Sequence, residues 1–194
     1  MSGKKIIYFR LFWSIFRIKF FVLVLLGKNI IVGQDSDFEE VVIERHSNGM
    51  KKVVIVFDSK GIDQNLLSRH RYYDNGVKEF SESYENNQRH GFAGYWYENG
   101  QKKIELNYNN GLLDGLHTVW LENTQKKSQT IYMDGNIVEN IVWEYHSNNR
   151  TKSQRIYRDG SDNEVLITWY ENGQKESESS YINDKIHGLF SSWH

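Results

Sequence analysis

Seven histidines, several clusters of carboxylates and a comb of aromatic rings are the side chains of this 194-residue chain that could do chemistry. His90 and His187 each precede a glycine, Gly91 and Gly188, while His46 and His146 share the tripeptide His-Ser-Asn. His117 falls in a strand-like stretch, His70 in an irregular gap, and His194 after the last tryptophan. A metal site needs ligands that converge on a point. These histidines recur with a repeat and so spread along it, and a turn-forming role is expected with no metal. Asp35, Asp37, Glu39 and Glu40 lack the loop glycine and ligand spacing of a dedicated calcium site. Glu176 and Glu178 could act as an acid and base pair, but their alternation reads as a charged, wet strand face. No serine sits in a nucleophile elbow, and Gly-x-Gly occurs nowhere in the chain. The absence of cysteine removes disulfides, thiolate zinc and a thiol nucleophile. The expectation is a protein that is not an enzyme, with no catalytic residues and no cofactor.

What positions these side chains is a repeat. Glu98-Asn99-Gly100-Gln101-Lys102 returns as Glu171-Asn172-Gly173-Gln174-Lys175, with shorter versions at Asn48-Gly49 and Asn75-Gly76 and degraded ones at Asn123-Thr124 and Asn148-Asn149. The glycine position falls at 49, 76, 100, 124, 149 and 173, in steps of 27, 24, 24, 25 and 24. Eight residues after each stands an aromatic: Phe57, Tyr84, Tyr108, Tyr132, Tyr157 and Tyr181. Twenty residues after it stand Trp96, Trp120, Trp169 and Trp193, with Trp143 displaced by one. Fifteen after it stand Gly91, Gly115 and Gly188, but Glu139 and Glu164 in the middle units. Regular periods of this length mark repeat architectures.

Each unit reads as two strands. Asn-Gly favours a two-residue type I′ turn, which needs positive φ at both central residues. Alternation follows, as in Lys102–Tyr108, then a second turn such as Asn110-Gly111 or Asp134-Gly135, then a strand into the tryptophan. The expected fold is all-β, an elongated antiparallel meander of about six stacked hairpin units. Its tyrosines, tryptophans and aliphatic residues should line one face, with Lys103, Glu105 and Asn107 on a wet one. Tyr95, Tyr97 and Tyr170 should lie opposite the tryptophans and could form a strip that binds a peptide, glycan or protein.

The pattern Trp-Tyr-Glu-Asn-Gly-Gln-Lys at 96–102 and 169–175, then Glu105 or Glu178, Tyr108 or Tyr181, and a turn ending in Gly115 or Gly188, resembles the MORN-repeat variant of YwqK-type antitoxin components. The resemblance covers residues 44–194. It implies a sheet of consecutive hairpins without catalytic residues or cofactor, and, for some members, neutralisation of a toxin.

The first 33 residues differ in kind. They hold six basic residues and no acidic one, with an uncharged run over Phe20–Gly27 that is too short to span a bilayer. A positive leader before such a run fits a signal peptide ending near Gly33, or alternatively an uncleaved membrane anchor. An apolar leader helix is expected, then an acidic linker at 34–43, then the repeat domain at 44–194. The remainder carries 18 basic against 25 acidic residues, which disfavours nucleic acid. The chain is therefore expected to be exported and to bind a protein partner or, as the alternative, to bind and neutralise a toxin as an immunity protein. A free last strand could also pair with a second copy as an edge-strand dimer.

Overall fold

A computed structural model describes residues 38–58, 65–158, 163–183 and 185–193. The expected leader lies outside these residues. The strands are β1 (Phe38–Arg45), β2 (Lys51–Asp58), β3 (Leu66–Tyr72), β4 (Lys78–Glu85), β5 (Gln88–Trp96), β6 (Lys102–Asn109) and the short β7 (Leu112–Leu113). They continue as β8 (Gly115–Trp120), β9 (Lys126–Met133), β10 (Asn136–Tyr145), β11 (Thr151–Arg158), β12 (Asn163–Trp169), β13 (Lys175–Ile182) and β14 (Lys185–Ser192). All join one open antiparallel sheet in chain order, with β7 paired to β6 off the main path. No helix occurs among the described residues. Strand β1 starts inside the stretch read as a linker: residues 38–42 pair with β2 and belong to the sheet.

The turns alternate between two geometries, and this corrects the reading of Asn-Gly. Positive φ occurs at Gly49, Gly76, Gly100, Thr124, Asn149 and Gly173, but not at the residue before any of them. These are therefore not type I′ turns. In each, the N–H of the positive-φ residue donates to the carbonyl three residues back, as from Gly100 to Tyr97 at 2.9 Å. The preceding asparagine explains the choice. Its Oδ1 accepts the N–H two residues on, at Met50, Val77, Gln101, Gln125, Arg150 and Gln174. This Asx bond holds the asparagine right-handed and leaves one residue to turn the chain back. The type I′ turns are the second set, with both residues at positive φ at Asn86-Asn87, Asn110-Gly111 and Asp134-Gly135.

Register corrects the assignment of faces. Glu105 stands opposite Thr118, and Ile104 opposite Val119. Thr118 and Trp120 therefore side with Glu105, while Ile104, Leu106 and Tyr108 look the other way. Tyrosines and tryptophans occupy opposite faces, because a one-residue offset moves every side chain across the sheet. The tyrosine face carries the buried row of Glu82, Ala93 and Leu106, directly paired across three strands. Thr130 and Ser179 continue it. The tryptophan face buries Val54 and Thr118. There Phe92 and Trp96 close over Gly94, where a Cβ would stand 2.6–2.7 Å from both rings.

Candidate interaction surface

On the tyrosine face, the Glu82 carboxyl is buried on β4 and accepts from the hydroxyls of Tyr84 at 2.8 Å and Tyr95 at 2.9 Å. Arg89 of β5 lies 3.3 Å away and spreads over the Tyr108 ring. Burial and then the bond to Glu82 push the Tyr95 phenol up to about 12. The group is inward-facing and satisfied, which is the arrangement of a structural anchor. His117 of β8 differs: both ring nitrogens are buried without a hydrogen-bond partner among the described residues, and the ring stacks on Tyr132. Burial holds its pKa below the ordinary imidazole value. His70 of β3 is bracketed by the Ser68 and Ser81 hydroxyls at 2.9 Å each.

The expected binding strip does not converge. Tyr95 points at Glu82. Tyr97 and Tyr170 donate to the carbonyls of Trp120 at 2.8 Å and Trp193 at 3.0 Å. These are two members of a series. Tyr73 donates in the same way to Trp96, and His146 and His46 take the tyrosine's place, donating from Nε2 to the carbonyls of Trp169 and Tyr72. The donor stands three residues before the positive-φ position, and the stitch usually spans 23 residues. Sequence reasoning passed over this position, although Tyr, Tyr, His and Tyr recur there on the same comb. Leu121 occupies it once, and there Tyr145 donates to the Lys126 carbonyl instead.

The tryptophan face is more open. Trp96, Trp120, Trp143 and Trp169 stand on β5, β8, β10 and β12, every second strand of the main path, and Trp193 directly follows β14. Lys78, Lys102, Lys126 and Lys175 lie over the Trp96, Trp120, Trp143 and Trp193 rings at 4.7–5.9 Å. Lys102 and Lys175 also pair with Glu105 and Glu178 three residues on. Toward the other strand ends, Leu116 and Ile131 are directly paired and exposed. Phe92, Leu112 (53% exposed) and Met133 (63% exposed) fall on the same face by register. No second layer of strands or helices covers either face among the described residues. A contiguous exposed apolar set of this kind is the usual mark of a contact surface.

An open recess of about 470 Å³ lies among Ile156, Glu164, Val165, Tyr181 and Gly188. Among the described residues, no group of three or more His, Asp or Glu side chains is placed to hold a metal ion. No helix among them is long and apolar enough to cross a membrane. No protein-family model matches the chain, and no curated protein matches it.

Proposed function

We propose that this chain is a non-enzymatic repeat module of the MORN-variant type, six hairpin units long, that binds a protein through its tryptophan-bearing sheet face. One observation carries the reading: Phe92, Leu112, Leu116, Ile131 and Met133 form an exposed apolar set on a face that nothing in the described chain covers. The chain outside the leader has a net charge of −7. The partner's chemistry follows as an apolar centre with a basic rim, since opposite charge at the rim speeds and orients encounter. A photo-crosslinker at position 116 tests it. It is expected to join one partner, with capture weakened by added salt and abolished by Met133→Glu. Equal crosslinking from position 152, on an exposed stretch of another strand, speaks against the surface.

The leader fits export, with cleavage near Gly33 and an uncleaved anchor as the alternative. Intact mass in each cell fraction separates these. A species about 33 residues short outside the cytoplasm supports export. A full-length cytosolic species moves the reading to an immunity protein held against a basic toxin, the second reading that the acidic body favours.

A further inference from the structure

The row of tryptophans is a separate feature from the apolar set, and its period is the informative quantity. One tryptophan stands on every second strand of the main path, so successive rings are roughly 9.5 Å apart across the sheet. Trp96, Trp120 and Trp169 sit directly before an Asx turn, and four of the five tryptophan carbonyls are held by the stitches described above. The rings are thus placed by the backbone rather than by a mobile loop.

Three further properties narrow the ligand. Of the four lysines over the rings, two are neutralised locally, Lys102 by Glu105 and Lys175 by Glu178. The row therefore offers hydrogen-bonding polar groups, lysines and carboxylates among them, while the acidic body as a whole repels polyanions. The adjoining turns expose side-chain amides at the same period, among them Asn99, Gln101, Asn123 and Gln125. The sheet is one layer, so no strand or helix of the described chain closes over the row, and the flexible lysine chains are what lies over its rings. Aromatic rings for the apolar faces of sugars, with amides and paired carboxylates for their hydroxyls, are the two contacts a neutral polysaccharide needs. An extended β-1,4-linked chain presents the same sugar face once per disaccharide, a repeat close to two strand spacings. An α-1,4-linked chain coils and loses that match.

We propose that the tryptophan row binds a single chain of a neutral β-1,4-linked polysaccharide lying across the strands, one disaccharide per repeat unit. Strands in a sheet are twisted relative to their neighbours, so a free chain that can follow the twist fits better than the flat face of a crystal. Trp169 differs from the other subsites, since Thr151 stands where the other units of the row place a lysine over the ring.

The test is affinity electrophoresis of the full chain in gels holding soluble hydroxyethyl cellulose, with titration calorimetry against cellohexaose, chitohexaose and maltohexaose. Retardation by the β-linked polymer is expected, with binding of at least one β-linked hexaose and none of maltohexaose. Trp169→Ala is expected to weaken binding at least tenfold. The exposed Gln101→Ala, which removes no turn bond made by a backbone N–H, is expected to weaken it about threefold and guards against a tryptophan variant that fails to fold. No binding of either β-linked probe, equal binding of maltohexaose, or wild-type affinity in both variants overturns the proposal. So does tighter binding to crystalline than to amorphous cellulose. A protein partner captured by the tryptophan row in the absence of sugar binding also overturns it. Met133→Glu leaves sugar binding unchanged, so this inference and the protein-binding reading fail separately.

Discussion

Strands β4–β9 and β10–β13 run through the same repeat but hold it together differently. In the first region Gly91 and Gly115 stand directly opposite Tyr108 and Tyr132, and the interior position is filled by Glu82, Leu106 or Thr130. In the second, Glu139 and Glu164 replace the glycines. They meet Arg158 and Arg155, each at 3.1 Å. Packing of a ring beside a glycine has been exchanged for cross-strand ion pairs. The turns did not change: Thr124 and Asn149 hold positive φ at 72° and 64° where the other units have glycine. Strand chemistry in this repeat is exchangeable, while the turn conformation is kept even where the residue is strained by it.

Removing the anchor of the first region should have the largest effect. Glu82→Ala leaves Arg89 and two tyrosine hydroxyls without their buried partner and is expected to destabilise the sheet by about 3 kcal/mol in urea denaturation. A loss under 1 kcal/mol would mean that the first region is not organised around it. In the β8–β9 turn the sign reverses. A threonine at φ 72° is strained, and Thr124→Gly should stabilise by about 1 kcal/mol. Tyr97→Phe removes one stitch and should cost about 1 kcal/mol.

Acid and salt should then separate the regions. Burial depresses the folded pKa of His117, and burial followed by the nearby Lys78 depresses that of His70. As pH falls the unfolded chain takes up these protons first. Their contribution is whole above about pH 6.5 and is lost as the pH drops through the lower folded values. The thermal midpoint should decline between pH 7 and 5, and less so in His117→Leu. One molar salt should act on β10–β13 instead, through Arg155–Glu164 and Arg158–Glu139, by under about 1 kcal/mol. Equal salt sensitivity in a Glu139→Gly variant would remove the distinction.

The period, the strand count per unit and the all-β class were legible because one comb places aromatics, tryptophans and turns together. The turn type was not. Asn99-Gly100 and Asn110-Gly111 are the same dipeptide with different backbones, and what separates them is whether the asparagine oxygen finds the N–H two residues on. The faces were misread for a related reason. Bulges fall where each tryptophan strand meets the next unit, as between Tyr95 and Trp96 or Val119 and Trp120. Counting by twos from one strand to its neighbour does not carry register through the turns between them. The stitch donors were readable but were masked by being both tyrosine and histidine. Their common trait is a side-chain donor of similar reach, not a residue type.

Leu121 is the one position in the series whose side chain makes no stitch. Apart from the short β7, every strand of this sheet pairs only with the strands before and after it in the chain, so the chain can fold from any hairpin outward and the joints between units carry its cooperativity. Low separation between contacting residues favours rapid formation. The joint at Leu121 is held instead by Tyr145 on the Lys126 carbonyl and Gln125 on the Asn149 carbonyl, and this change of fastening divides the molecule into a two-segment zipper. Under a pulling force applied at its ends, extension should pause once, with the strands on one side of the 121–126 turn released and those on the other still paired.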